Sequence, residues 1–402
     1  MADTVTVLRS GRQKDNVQVA RVESDGLTEF FFCVRPLRDE GDIEVQAQSI
    51  YEALFRALKT HGVAPESLIT KKVFFSDVDR QFQKWTSVRQ GVYGQIEQSA
   101  EDGPAATFLH QPPCHPGRQC ELQAYAIVST GPEPITVRSV EGLPGLASGK
   151  VVEYQGQRHI YVLNLTGNGA PDNHLNFAGQ AEQMFQRADV CLQKEGTSFR
   201  DVIRTWIYIA DLKRDYNAFN PVRTAFFKQH DVQRIPASTG IQGATFPWTR
   251  GCTMDLYALV ADASVKVERM QAPSMNEAPS YGSSFSRGMA VTSNGRTVLY
   301  VSGTASIDTE GRVLHVGDLA GQINRMFQNV EELLGARNAG LSDAVTAITY
   351  LKQPEFLDTF YRVWNERGLP VDIPNTVSIA DVCRPEWLCE IEVIAVIPAD
   401  RG

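Results

Sequence analysis

The sequence predicts an α+β fold built from three consecutive copies of one module. Three observations lead to this prediction: a long motif occurs twice, the same order of strands and helices precedes each copy, and Pro-rich stretches separate the copies. A chain of 402 residues has room for two or three domains of about 150 residues each. The repeat favours three, because it divides the chain into similar thirds.

The repeated motif is clearest in segments 114–128 and 383–397. Both read C-x-P-x-x-x-C-E-[LI]-[QE]-[AV]-[YI]-A-[IV]. Apolar and polar side chains alternate along each copy, which is typical of a strand with two different faces. Glu121 and Glu390 therefore occupy equivalent places in equivalent strands, and a third copy has Thr253 there.

The same elements precede each copy of the motif. A β-type run is followed by an amphipathic helix, a second β-run, an aromatic-rich helix and a proline-led turn, which we call the Pro-turn. The first β-runs span residues 30–34, 160–165 and 298–302, and the first helices begin near Gln48, Gln180 and Gln322. Pro-rich joins at 131–135 and 272–279 predict modules over residues 1–131, 136–265 and 280–402.

Composition limits the possible partners and locations. The chain has 47 acidic and 39 basic residues, and a net charge of -8 provides no general attraction for nucleic acid. The sequence contains neither a secretory signal nor an apolar run of about 18 residues, so we expect a cytoplasmic protein without a membrane partner. Seven thinly spread cysteines favour reduced thiols over a disulfide framework.

With these motifs, all three modules resemble the RidA (YjgF/YER057c/UK114) family. The resemblance implies a chorismate mutase-like module, in which a mixed sheet carries two helices on one face. It also implies that the fused copies form an intramolecular pseudo-trimer, a self-contained monomer with ligand clefts between neighbouring modules. RidA deaminases carry an arginine after the proline of the Pro-turn, where this sequence has Ala106, Ser238 and Asn375. That difference argues against ordinary 2-aminoacrylate deamination.

Residues 150–400 also resemble a narrower group, the chorismatases, which hydrolyse chorismate. The matching segments are 234–241, 281–287, 301–307, 315–318 with Gln322 and Asn329, and 381–392. The resemblance implies that Glu390 is the general acid and that Cys383 lines the pocket. Chorismatases usually have Gly-Pro-Arg between the tyrosine and the Ser-Phe of the second segment, whereas here Tyr281-Gly282 runs directly into Ser283-Ser284.

Glu390 is the candidate catalytic residue. A carboxyl group desolvated in a cleft can deliver a proton to an enolpyruvyl methylene near neutral pH. The alternative is a strand carboxylate that pairs with an arginine and holds two modules together. We expect Glu121 either to line a secondary cleft or to have a structural role, since its module lacks the segments matched around Glu390. A cleft built on Thr253 should be inert in acid-base chemistry.

The remaining candidates would bind substrate. Arg287 and Arg384 are suited to bidentate contacts with carboxylates, and surface ion pairs are the alternative. Hydroxyl groups for a polyol or cyclohexadiene ligand could come from Tyr281, Ser302, Thr304 and Ser306; the alternative is that these small polar residues simply form loops after a buried strand.

We expect neither a metal nor a cofactor. Two histidines and two cysteines lie close together in the sequence, but their spacing fits no standard zinc finger: His110, Cys114, His115 and Cys120. No phosphate-binding or dinucleotide fingerprint lies in a strand-helix context.

Three functions remain open. The first is a chorismatase-like hydrolase or lyase of secondary metabolism, which releases pyruvate from chorismate or a similar carboxylated cyclic enol ether. The second is a RidA-type imine or enamine deaminase or hydrolase. Both act on a small anionic molecule. The third is a protein that binds a small ligand without catalysis.

Overall fold

The computed structural model describes residues 5–95, 103–167, 175–247, 251–277 and 282–401. Within these ranges the chain forms three mixed β-sheets and six α-helices, two helices to each sheet. The three modules share one order of elements, so the predicted α+β class and the predicted repeat are both confirmed.

The first module has six strands and two helices of its own. These are β1 (Thr6–Ser10), β2 (Val17–Ser24), β3 (Leu27–Val34), α1 (Ile43–Thr60), β4 (Leu68–Phe75), α2 (Val78–Gln95), β5 (Ala105–His110) and β6 (Cys120–Ser129). The spatial order of the strands is β1-β2-β3-β6-β4-β5. Only β4 and β5 run parallel to each other, because a helix connects them.

The second module repeats this pattern. Its elements are β7 (Thr136–Ser139), β8 (Ser148–Tyr154), β9 (Gln157–Thr166), α3 (Phe177–Lys194), β10 (Val202–Ile209), α4 (Leu212–Gln229), β11 (Ala237–Gln242), β12 (Ala244–Thr245) and β13 (Cys252–Val260). The short strand β12 leaves this module and pairs with β5 of the first sheet.

The third module closes the chain. Its elements are β14 (Lys266–Met270), β15 (Gly288–Ser293), β16 (Arg296–Thr304), α5 (Leu319–Gly335), β17 (Ala344–Leu351), α6 (Leu357–Glu366), β18 (Asn375–Ile379) and β19 (Cys389–Pro398). Because β14 is the edge strand of this sheet, the third sheet starts ahead of the Pro-rich segment in which the sequence places the join.

A glutamine in the first helix of each module ties that helix to the motif strand. Its side-chain oxygen accepts the backbone N–H of the residue two places before the glutamate position, at 2.8 to 2.9 Å. The three glutamines are Gln46, Gln180 and Gln322. In the first module the equivalent residue is therefore Gln46 and not Gln48. The N-cap of α1 is Asp42, so this helix begins earlier than the sequence indicates.

The three modules close into a ring. A segment that follows the Pro-turn strand of each module pairs with the next module: β12 with β5, residues 112–114 with β18, and Asp381 with Gln242 at the end of β11. The second module thus contacts the first, the first the third, and the third the second. This closure is the predicted intramolecular pseudo-trimer. The hydrophobic cores lie mainly between each sheet and its own helices, which leaves the other sheet faces for contacts between modules.

All seven cysteines lie in described residues, and each is a free thiol. No helix in the described ranges has the length and hydrophobicity needed to cross a lipid bilayer.

Candidate active site

A cavity of about 220 Å³ lies between the second and third modules and contains Glu390. The strand β19 contributes Glu390, and the loop ahead of it contributes Cys383 and Arg384. Arg287 enters just before β15. The structure therefore brings together four of the predicted site residues. The second module supplies the opposite wall, which includes Tyr216, Asn217, Asn220, Arg223, Ser238 and Gly240.

The Glu390 carboxyl group lies against the backbone of β16. Its side chain is buried, and a Cβ atom added to Gly303 would collide with Oε1 of Glu390. Burial and the neighbouring carboxylate of Glu392 raise the pKa of Glu390 to about 8, although Arg287 and Arg204 act in the opposite direction. A carboxyl with this pKa holds its proton at neutral pH and can donate it.

Three arginines line the same cavity. Arg287 is buried, and Asn276 fixes it by accepting from Nε at 2.9 Å and from Nη2 at 3.1 Å. The guanidinium of Arg384 lies 5.0 Å from the ring centre of Trp387 and donates to the backbone oxygen of Gly311. The arrangement places permanent positive charge around a protonated acid.

Arg223 is the third arginine, and the sequence analysis missed it. It lies on α4, is 3% exposed, donates to Asn220 Oδ1 at 2.7 Å and packs 5.7 Å from the ring centre of Phe285. Nothing in the matched motifs points to this residue, because it belongs to the aromatic-rich helix of another module. Arg223 lies on the face of α4 that meets the third module. This contact exists because the three modules close into a ring.

Cys383 and Tyr216 meet at the wall of the cavity. The Cys383 thiol donates to the backbone oxygen of Gly240 at 2.9 Å, and its burial raises its pKa to about 12. Burial also raises the pKa of the Tyr216 hydroxyl, which is hydrogen-bonded to Cys383 and Ser283. Both groups are neutral at physiological pH, so they add hydrogen-bonding capacity and no charge.

Three of the four predicted hydroxyl ligands do not line the cavity. Ser302 Oγ donates to Ser286 O at 2.6 Å and accepts from Ser238 N at 2.9 Å, which links the two modules behind the cavity. Thr304 and Ser306 donate to the backbone oxygens of Ser302 and Leu314. None of these three hydroxyl residues is among the described residues that line the cavity. Tyr281 lies outside the described residues.

Glu121, at the equivalent position between the first and third modules, is held by ion pairs. Arg35 Nε donates to Oε1 at 3.1 Å and Arg118 Nη1 to Oε2 at 3.1 Å. Cys33 and Thr376 donate to Oε1 as well. Burial raises the pKa of Glu121, but the two guanidinium groups outweigh it, and the net pKa is lowered. Glu121 is thus an ionised, fully hydrogen-bonded carboxylate that joins structural elements.

Thr253 marks the third interface, between the first and second modules. Its hydroxyl pairs with that of Thr245 at 2.8 Å, so no acid occupies this position. The cysteines of the His/Cys quartet point into different cores, Cys114 with the third module and Cys120 with the first. Among the residues that the structure describes, no group of three or more His, Cys, Asp or Glu side chains is arranged to hold a metal ion.

Comparisons with known proteins agree with this architecture. The family model described as Endoribonuclease L-PSP matches residues 148–260 and 275–397. The chain belongs to this family, which is the RidA family. The two matched segments coincide with the second and third modules, between which the cavity lies.

Two curated relatives are similar over part of their length. A chorismatase from Streptomyces rapamycinicus is 27% identical over 219 residues, which cover 48% of this chain and 64% of the relative. A RutC family protein from Haemophilus influenzae is 25% identical over 84 residues, or 21% of this chain and 64% of the relative. The chain thus matches less than two thirds of either relative's length.

A crystal structure of a chorismatase has the same fold. It superposes with a TM-score of 0.61 at 18% identity, over 91% of this chain and 98% of that chain. The similarity in fold therefore extends to the first module, beyond the residues 150–400 on which the sequence resemblance rests.

Proposed function

We propose that this protein is a chorismatase-type hydrolase that releases pyruvate from chorismate or a similar carboxylated cyclic enol ether. The observation that carries the proposal is a buried carboxyl group, Glu390, with a pKa of about 8 in a cavity that also contains three arginines. The similarity to a chorismatase in sequence and fold supports it.

Glu390 has the properties of the general acid that this reaction needs. In the proposed first step it donates its proton to the methylene carbon of the enolpyruvyl group, which becomes a methyl group. The adjacent carbon becomes an oxocarbenium ion, water adds to it, and the proton released by that water returns to Glu390. The resulting hemiketal collapses to pyruvate and the ring alcohol, so that no cofactor is consumed.

The arginines fit a substrate with two carboxylates. A guanidinium group stays charged at all relevant pH values and can bind a carboxylate through two parallel hydrogen bonds. Arg287, like Arg204, lowers the pKa of Glu390, and unlike Arg204 it also lines the cavity. We propose that Arg287 binds the enolpyruvyl carboxylate and that Arg223 and Arg384 bind the ring carboxylate. Arg223 supplies a basic group that the sequence lacks between Tyr281 and Ser284.

Deamination fits the cavity less well. The Pro-turn position at which RidA deaminases carry an arginine is Ser238 here, and it lines this cavity. The arginines of the cavity come from α4 and from the segments before β15 and β19, so a substrate carboxylate would bind in a different place from that in the deaminases.

Pyruvate release tests the proposal. Purified protein is incubated with chorismate, and pyruvate is measured through NADH oxidation by lactate dehydrogenase, which does not depend on the identity of the ring product. We expect turnover by the wild type and a loss of about 10²- to 10⁴-fold in Glu390→Gln. Glu386→Gln is the matched control, since Glu386 lies four residues earlier and is exposed.

Ammonia is measured in parallel with 2-aminoacrylate generated in situ. Ammonia release without pyruvate release would favour the deaminase instead. If neither product forms and calorimetry still detects chorismate binding, the protein is a binding protein and the proposed hydrolysis is wrong.

A further inference from the structure

A second buried glutamate follows the candidate acid on the same strand. Glu392 lies two residues after Glu390 in β19, so both side chains point to the same face of the sheet. The two are almost equally buried, at 4% and 6% exposed. The cavity contains only the first of them.

The two carboxyl groups differ in their partners. Glu392 accepts hydrogen bonds from Arg204 Nη2 at 3.0 Å and from Trp206 Nε1 at 2.7 Å, both on β10 of the second module. Because this ion pair is buried, salt screens it much less than a surface ion pair. Arg204 also donates to Thr239 Oγ1, and Thr239 Oγ1 accepts the backbone N–H of Gly303, against which Glu390 lies. Glu392 is therefore fixed in position relative to the acid.

We propose that Glu392, fixed by Arg204 and Trp206, is a positioning residue that keeps the neighbouring Glu390 carboxyl group in its acid form. The inference rests on the proposed role of Glu390 as general acid. Two carboxylates on one buried strand face cannot both ionise cheaply, and the one with charged and N–H donors keeps the negative charge. The other retains the proton that the proposed reaction uses.

Several charged or titratable groups of the surrounding elements act on Glu390, and among those described Glu392 supplies the negative charge. Arg287 and Arg204 are positive and favour ionisation of Glu390. Three weakly acidic groups that interact with Glu390, each neutral because burial raises its pKa, are Cys383, Cys389 and Tyr350. Arg223 and Arg384 line the cavity and add further positive charge. Without Glu392, only burial would still oppose ionisation of Glu390, and the arginines would lower its pKa.

The interface between the first and second modules provides an internal control. Asp255 lies two residues after Thr253, as Glu392 does after Glu390, and pairs with Lys72 at 3.4 Å. Asp255 is fully buried, and the tyrosine Tyr208 donates to it. Asp255→Asn thus removes a buried carboxylate of the same kind that is not among the groups acting on the pKa of Glu390.

The test measures the protonation of Glu390 directly. Protein labelled with 13C at the glutamate side-chain carboxyl is titrated by NMR, and the Glu390 signal is assigned by its loss in Glu390→Gln. In Glu392→Gln we expect the pKa of Glu390 to fall by about one to two pH units, as removal of a charge about 7 Å away predicts at an effective dielectric constant of about 20. Glu392→Asp, which keeps the charge, should restore most of the shift, and Asp255→Asn should leave it unchanged.

The pH profile of pyruvate release provides a second reading. The alkaline limb of kcat/KM should move to lower pH in Glu392→Gln by the same amount as the pKa. If Glu392→Gln does not fold, Glu392→Ser removes the same charge with a smaller polar side chain, and should lower the pKa by a similar amount. An unchanged Glu390 pKa in folded Glu392→Gln or Glu392→Ser overturns the inference. The NMR titration needs no turnover, so a protein that makes no pyruvate but shows the shift would contradict the proposed function alone.

Discussion

The clefts around Glu390 and Glu121 have the same motif and opposite electrostatics. Both glutamates follow a buried cysteine at the start of an equivalent strand, and both side chains are at most 4% exposed. Two guanidinium groups lower the pKa of Glu121, whereas burial and a second carboxylate raise that of Glu390 to about 8. The motif thus places a carboxyl group at the interface, and the partner residues decide whether it is an ion-pair acceptor or an acid.

The difference arises in the strand next to the motif. β16 has an irregularity between Val301 and Thr304 in its pairing with β19, whereas β3 pairs with β6 without interruption. When each pairing is continued by one residue, Ala305 comes opposite Glu390 and Arg35 comes opposite Glu121. Ala305 lines the cavity, whereas Arg35 fills the equivalent space in the first module. One additional residue in β16 and an alanine in place of an arginine thus distinguish the surroundings of Glu390 from those of Glu121.

Among the substitutions that test the difference between the two sites, Gly303→Ala should have the largest effect on activity. The added methyl group would collide with the Glu390 carboxyl and would lie 3.0 Å from Thr239 Cγ2, so the acid must leave its position. We expect kcat/KM for pyruvate release to fall by about 100-fold, the usual size for a misplaced catalytic group. Gly335→Ala is the control, because a Cβ atom at that helix end meets no atom within 4 Å. Wild-type kcat/KM in Gly303→Ala would mean that the site tolerates a displaced Glu390.

A smaller effect is expected from Arg223→Gln. If Arg223 binds the ring carboxylate, its loss should raise KM by about 10- to 100-fold with a smaller change in kcat, since one charge-assisted hydrogen-bonding group is worth about 1.5–3 kcal/mol. Arg214→Gln on the same helix is the matched control, with 67% of its side chain exposed. Equal KM values for the two variants would remove Arg223 from the substrate site.

The fold was predictable because it rests on periodic patterns. Alternating strands, helical spacing and Pro-turns recur three times, and their order is independent of how the modules meet. The start of α1 was misplaced because Gln48 matches the pattern almost as well as Gln46, and only the hydrogen bond to Gln119 N distinguishes them.

The site was less predictable because it forms between modules. Glu390, Arg287, Arg384 and Cys383 come from one module and one matched motif set, whereas Arg223 joins them from a helix of another module, 64 residues before Arg287 and 167 before Glu390 in the sequence. Ser302 has the hydroxyl group expected of a ligand-binding residue, but its bonds to Ser286 O and Ser238 N join two modules. The sequence alone does not show whether a serine beside a cleft binds a ligand or joins two modules.

The most direct test compares Glu121→Gln with Glu390→Gln by chemical unfolding at pH 8. Glutamine has nearly the shape of glutamate without its charge. At Glu121 it removes the acceptor of two buried guanidinium groups and should lower the free energy of unfolding by about 3–5 kcal/mol. Because the folded-state pKa of Glu390 is raised, the wild type loses stability as the pH rises from about 4.5 to about 8, so Glu390→Gln should be more stable there by about 2–4 kcal/mol.

We therefore expect opposite signs in this pair of measurements. At pH 8 Glu121→Gln should be destabilised and Glu390→Gln stabilised, and the stability gain of Glu390→Gln should disappear at pH 4. Two variants destabilised to the same extent at pH 8 would contradict it, because Glu390 would then be an ion-pair partner like Glu121 and not a buried acid.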